Sequence, residues 1–390
     1  MTNYKNKNLK NLRLMGFYSP RLGGNMNKIK NIITTVLFAV LIFSVSAVCI
    51  LKPQGEYSPG ERRALAKMPE FSAQSLFSGE FTDGFENYST DQFPFREKLR
   101  TVKALFATGA LGKLDNNGLF ASQGHLSKID SPQNEDMMDY AANKFLEIKN
   151  KYIKNDNIYF AIVPDKNFIL APEGGYPSLD YDAFAEGMKS RTQYMKYIDI
   201  TPMLSLDDYY KTDSHWRQES ITDIAGYIAN EMGADIPQEY TENTLENPFY
   251  GVYAGQSALP AKPDTIKYLT NDVMSGFKVT NFGSGKPEQG EMYDMEKAFG
   301  RDPYEMFLSG SMPLLTIENP NAENDKELVI FRDSFGSSLA PILAQGYSKT
   351  TVIDIRYMQS AFIGNFVDFE NADTLFIYST SLLNNSTAMK

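Results

Sequence analysis

The chain has 390 residues, 42% hydrophobic and 22% charged, which allows one or two packed domains and rules out disorder of the whole. One cysteine rules out an intrachain disulfide framework, a cysteine-rich zinc module and an iron–sulfur site, and two histidines (His125 and His215) leave little room for a histidine-rich metal centre. The net charge of −10 hides a split: residues 1–52 carry eight basic groups and no acid, whereas 53–390 hold 30 basic and 48 acidic residues, a balance that argues against nucleic acid as the main partner.

Residues 1–31 read as a basic cytoplasmic tail. Ile32 to Leu51 (IITTVLFAVLIFSVSAVCIL) is uncharged and has the length of a membrane span. With the basic flank before it, the positive-inside rule places the N-terminus in the cytoplasm and the main body outside. The small residues of Ser44-Val45-Ser46-Ala47 offer a signal-peptidase site, but the apolar run is longer than a usual signal core, so an uncleaved single-pass anchor is expected. Val48 is too large for a lipobox before Cys49, and Met26 offers an alternative start.

Residues 52–110 read as a stem with N-terminal helices. The stem is polar, with Arg63 and its neighbours expected on solvated surface. Pro94 precedes an amphipathic helix with Phe95, Leu99, Val102, Leu105 and Phe106 on one face. Residues 111–390 read as the main domain. Asn116 to Leu126 forms two short strands about a turn, with His125 structural. Pro132 to Lys151 is a helix and Asn157 to Val163 a buried strand ending at Pro164-Asp165-Lys166, where Lys166 is surface or scaffold. Tyr197 to Thr201 is a short strand and Gln218 to Met232 a periodic helix. Residues 240–300, rich in Gly, Asn and Pro, form a loop or hairpin insert. Leu328–Phe331, Thr351–Ile355 and Thr374–Ser379 are apolar strands, and Ser337–Gln345 is a helix. Strands alternating with helices predict an α/β fold, a parallel sheet with helices on both faces and ligands at the carboxyl ends of its strands.

Two segments carry candidate chemistry. Asp333-Ser334-Phe335-Gly336 lies between a strand and a helix, where a serine projects at the sheet edge beside backbone N–H donors. Ordinary helix capping by Asp333 and Ser334 explains the same residues. Thr212-Asp213-Ser214-His215-Trp216 holds one of the two histidines and the only tryptophan. A serine hydroxyl needs a base, and the base needs a carboxylate to fix its tautomer. His215 and Asp213 supply both if the segment is a loop; a helix start with Trp216 in the core is the alternative. Gly283-Ser-Gly285-Lys286-Pro287 lacks P-loop spacing, no zinc-protease motif occurs, and no cofactor or metal is implied.

Asp213-Ser-His215-Trp216 and Asp333-Ser334-Phe335-Gly336 together resemble the DHHW-type proteins of bacterial cell surfaces, relatives of the alginate O-acetyltransferase group in the SGNH hydrolase superfamily. That group has a permuted order in which Asp-x-His precedes the serine, as here. The resemblance runs from about Glu61 to the C-terminus and includes Asp91-Gln-Phe-Pro94-Phe-Arg96, Val163-Pro-Asp-Lys166, Pro248-Phe-Tyr-Gly251 and Asp354-Ile-Arg356. It departs at Ser214, where the group has histidine, and at Arg332, which replaces a glycine and would alter the mouth of the site.

The resemblance implies an SGNH-like fold, Ser334 as nucleophile, His215 as base and Asp213 as its partner. Gly251 is a candidate oxyanion donor or a plain turn. Arg356 is a candidate for substrate or acyl oxygen, or an ion-pair partner of Asp354 or Asp333. The implied activity is serine-dependent acyl transfer, an O-acetyl group above all, or ester hydrolysis on a surface polysaccharide, with a possible membrane-bound acyl donor protein. A non-catalytic glycan-binding or assembly protein with the same fold is the alternative, and a peptidase or lipase a weaker one.

Overall fold

The computed structural model describes residues 20–390, so the expected basic tail lies outside the described residues up to position 19. Helix α1 (Pro20–Leu51) contains one stretch, Met26–Cys49, long and apolar enough to cross a membrane, with none of it buried against protein. Such a helix is compatible with single-pass anchoring and equally with a signal sequence.

The chain divides into two units. The first, besides α1, comprises the stem up to Glu56 and residues 65–96. Two helices, Ala73–Ser78 and Glu80–Asp91, follow each other there, the first capped by a Ser72–Ser75 capping box. Gln92 and Asp91 explain the sequence pattern at this point. The Gln92 amide accepts from Gly55 N–H (2.9 Å) and donates to Gly55 O and Ala66 O, while Asp91 accepts from Ala66 N–H at 2.9 Å. Two buried polar side chains thus fix otherwise irregular stem backbone.

The second unit holds Tyr57–Ala64 and everything from Glu97 onward. Helix α2 (Arg96–Leu105) runs into it. The helix expected after Pro94 is there, but its apolar residues Leu99, Val102, Leu105 and Phe106 are all exposed, and Ala104 is the buried residue of the helix. A hairpin of strands 119–122 and 125–128 follows, then helix α3 (Glu135–Tyr152).

The core is an eight-stranded sheet. In chain order its strands are β1 (Ile158–Val163), β2 (Lys196–Tyr197), β3 (Lys278–Asn281), β4 (Glu288–Gly290), β5 (Leu314–Glu318), β6 (Glu327–Arg332), β7 (Lys349–Ile353) and β8 (Ala372–Ser379). Their spatial order is β4-β3-β5-β7-β6-β8-β1-β2. The five strands from β7 to β2 are parallel, as expected; β3, β4 and β5 are antiparallel at one edge. Part of the 240–300 insert therefore extends the sheet, and another part pairs strands 241–244 and 267–270.

Period-two alternation explains why both faces are covered. Leu328, Ile330, Leu375 and Ile377 face one core with Ile224 and Ile228 of helix α4 (Thr222–Glu231) and with Leu339 and Leu343 of α6, after a short α5 (Val252–Ser257) and with α6 spanning Phe335–Leu343. Val329, Phe331, Phe376 and Tyr378 face the other with Met138, Phe145 and Ile148 of α3. The chain leaves β6 to form β7 on one side of it and then crosses to form β8 on the other, so the carboxyl end of β6 is a switch point of the kind at which such sheets place ligands. Ser334 follows that end.

Candidate active site

Residues 210–215 form a loop, not a helix start; α4 begins only at Thr222. Tyr209 and Trp216 bridge antiparallel, and Tyr210 N–H donates to His215 O at 3.1 Å. Asp264 holds the base of the loop, accepting from Lys211 N–H (2.8 Å), Thr212 N–H (2.7 Å) and the Thr212 hydroxyl (2.5 Å). Lys166, 1% exposed, reaches in from the end of β1. Its ammonium donates to the carbonyls of Tyr210 (2.6 Å), Asp213 (2.8 Å) and Lys211 (3.3 Å). Lys166 is therefore buried scaffold of the loop and not surface.

The serine turn is built by Asp333. One of its oxygens accepts from Phe335 N–H (3.0 Å) and the other from Ser379 N–H (2.8 Å), which ties the turn to the end of β8. Asp333 takes the capping role, and the Ser334 hydroxyl makes no cap bond. That hydroxyl instead lies 2.7 Å from His215 Nε2. His215 Nδ1 lies 2.5 Å from Asp213 Oδ1. The other Asp213 oxygen accepts from Val252 N–H at 2.8 Å. Three residues from two loops, 119 positions apart at the Ser–His contact, thus line up as hydroxyl, imidazole and carboxylate.

Trp216 explains how such distant loops stay in register. Fully buried, it donates through its indole N–H to Phe335 O and the Ser338 hydroxyl, both at 3.0 Å. Gln218 adds a bond to Ser338 O at 2.8 Å. The imidazole lies flat against Tyr304, with ring centroids 3.9 Å apart and an interplanar angle of 8°. This stacking limits the ring to rotation in its own plane.

Burial alone would raise the Asp213 carboxyl. The adjacent imidazole and its hydrogen bond, the Arg62 guanidinium and the Val252 N–H outweigh that, holding it well below the ordinary carboxylate range. Arg62 comes from the Tyr57–Ala64 hairpin. It lies 3.8 Å from Asp213 and 2.5 Å from Asp302, donates to Tyr250 O at 2.9 Å, and its side chain is only 11% exposed. The expectation of solvated surface around Arg63 thus fails for its neighbour. Arg62, Asp302 and Tyr304 were not distinguishable in the sequence: an Arg-Arg pair after Pro-Gly reads as a turn, and the other two sit in irregular chain.

The remaining candidates divide. Gly251 is not an oxyanion donor here, because its N–H is given to the Thr212 hydroxyl at 2.8 Å. Its importance is space: a Cβ at Gly251 would meet Asp213 Cβ at 2.3 Å and Cα at 2.4 Å. Gly251→Ala should displace the carboxylate, and any cleavage of 4-nitrophenyl acetate through Ser334 should fall on the order of 100-fold, with the far-ultraviolet spectrum unchanged. Arg356 pairs with Asp354 through two bonds of 2.9 and 2.6 Å, and still lines the same cleft as Ser334. Arg332 does not shape the mouth; it is buried, facing Asp354 at 3.5 Å and Gly310 O at 3.0 Å. His125 is buried in the hairpin, its Nδ1 3.3 Å from Gln123 O, away from the serine. The cleft holds about 320 Å³ and is edged by Lys128, Ser214, Gln256 and Ser381.

Lys166 has a consequence for pH. Burial pulls its ammonium down to about 7, against the upward pull of Asp213, Asp264 and Asp165. An unfolded lysine stays charged to above pH 10. Between pH 7 and 9 the unfolded chain therefore binds the extra proton, and stability rises with pH. Denaturation followed by Trp216 fluorescence at pH 7 and pH 9 should show this rise in the wild type. In Lys166→Met it should be smaller.

No protein-family model matches the chain, and no curated protein matches it. Solved structures do. A DHHW family protein from Eubacterium siraeum is 19% identical, with a TM-score of 0.57 over 71% of this chain and 97% of its own. PatB1 of Bacillus cereus, solved with a sulfonyl adduct, is 21% identical, with a TM-score of 0.53 over 68% of this chain and 95% of its own. The chain shares their fold.

Proposed function

We propose that this protein is a serine-dependent acyltransferase or esterase, with the acetyl ester of a surface polysaccharide as its product or substrate. The observation that carries the reading is the relay of Ser334 Oγ to His215 Nε2 at 2.7 Å and His215 Nδ1 to Asp213 at 2.5 Å, at the carboxyl edge of the sheet. Capping, the ordinary use of a serine there, is performed by Asp333 instead. The polysaccharide and the acetyl group rest on the sequence resemblance.

His215 Nε2 takes the Ser334 proton as Oγ forms a bond to the acyl carbonyl carbon. The carbonyl oxygen becomes an oxyanion near the N-terminus of α6, where the helix dipole favours negative charge although the Phe335 N–H there is given to Asp333. Collapse breaks the bond to the donor oxygen or sulfur, which leaves with the proton from His215 and an acyl-Ser334 ester behind. An acceptor hydroxyl then gives its proton to His215 and attacks that ester, re-forming the Ser334 hydroxyl. A sugar hydroxyl yields the O-acylated product; water yields the free acid. Asp213 stays ionised throughout and compensates the imidazolium.

The test is acylation of the full-length protein by 4-nitrophenyl acetate in detergent. A burst of nitrophenolate, with a mass increase of one acetyl group on the peptide containing Ser334, is expected. An unmodified serine and no turnover would leave a glycan-binding protein of this fold.

A further inference from the structure

Helix α2 packs the wrong way round for a core helix. Ala104 and, in the wider turn that continues it, Ala107 are buried, and Arg100 on the same side donates to Gly255 O at 2.8 Å. These residues are small or tied, so the helix sits close to the body on that side. The opposite side carries Leu99, Val102, Leu105 and Phe106, between 48% and 62% exposed, and beyond the helix Leu111 and Leu114 are exposed at 60% and 57%. Leaving six large apolar side chains in water forfeits the burial that stabilises ordinary helices, so a covering phase is implied.

Charge chooses among the coverings. Lys98, Lys103 and Lys113 are exposed around this face, and Glu97 is the one acid between Arg96 and Leu114, in a body whose overall balance is strongly acidic. A second copy would bring the same lysines against these. An anionic lipid surface would attract them, repel the rest of the body and accept the leucines, while long lysine stems keep their ammonium groups at headgroup level. The same chain supplies an apolar span at Met26–Cys49. A tether of fewer than 50 residues makes docking intramolecular, so a weak interfacial affinity suffices.

We infer that the leucine face of α2 and its continuation to Leu114 lies in the headgroup boundary of an anionic membrane. On the other side of the helix, Arg100 ties it to Gly255 of α5, whose neighbours Val252, Tyr253 and Gln256 line the Ser334 cleft. Docking would hold the cleft close to the lipid surface, within reach of a membrane-borne donor. The lipid contact does not depend on the chemistry proposed for Ser334.

The test uses the full chain in vesicles of phosphatidylcholine and 30% phosphatidylglycerol. Cys49→Ser carries a second change, Val102→Cys or, as reference on α4, Glu231→Cys, labelled with a nitrobenzoxadiazole dye. The label at 102 should emit blue-shifted and be quenched by lipids bearing a nitroxide near the headgroup, and the label at 231 should show neither effect. Water-like emission at 102 overturns the inference. So does a blue shift that lipid nitroxides leave unquenched and that grows with the protein-to-lipid ratio, which would mark a second copy. Carbonate extraction reads the anchor separately. If the chain is released, the released form should float with the same vesicles and lose flotation on Leu105→Asp, and failure to float overturns the inference.

Discussion

Ser334→Ala will lower ester turnover by about 10⁴-fold or more while leaving the fold unchanged. The hydroxyl makes no helix-cap bond and, among the described residues, bonds to His215 alone, so its removal leaves the Asp333 cap and the Trp216 bonds intact. A drop of that size with unaltered Trp216 fluorescence separates chemistry from unfolding. The relay also predicts non-additivity. His215→Ala alone should cost nearly as much, and the double variant little more, because either change disables the same proton transfer. Full additivity of the two losses, or turnover retained in Ser334→Ala, would move the reaction to other groups. Acetyl esters should be turned over faster than long-chain esters or peptides if the acyl group is the acetyl that the sequence resemblance implies.

Much of this site was legible because its chemistry demands scarce residues. With two histidines in the chain, a base for any serine had to be His215 or His125, and the strand before Asp333-Ser334 set the serine at a sheet edge. The parallel core was legible for a similar reason: largely apolar, uncharged runs such as Ile158–Val163 and Thr374–Ser379 mark strands buried on both faces. Three matters were not legible. The antiparallel edge β3–β5 comes from short strands of mixed polarity, such as Lys278–Asn281, whose pairing is decided by neighbours and not by pattern. The face of α2 was visible as amphipathic, but periodicity says which residues share a side and not which side meets protein. Lys166 and Arg62 are charged residues whose burial follows from carbonyls and carboxylates supplied by distant loops, and nothing local marks them.

Arg62 bears the second large expectation, because it sets the charge around the base from a hairpin far outside the rest of the site. Its backbone φ of +52° lies in the left-handed region, which a side chain adopts at a cost of order 1 kcal/mol. That conformation coincides with an aim at two carboxylates, Asp302 at 2.5 Å and Asp213 at 3.8 Å. Asp302 is raised chiefly by burial and further by Asp213 and Glu305, and Arg62 and His215 oppose this. Without the guanidinium, the buried Asp213 and the partly exposed Asp302 lose the cation they share. The loss removes one of the causes that hold Asp213 ionised beside the imidazole. Arg62→Gln should therefore lower kcat/KM on the order of tenfold. Arg62→Lys should recover part of the loss, since it restores the charge without the forked geometry. The double variant Arg62→Gln with Asp302→Asn should also recover part of it, because it removes the carboxylate that Arg62 compensates. A merely structural arginine would leave both variants as impaired as Arg62→Gln alone; that result would remove Arg62 from the set of positioning residues.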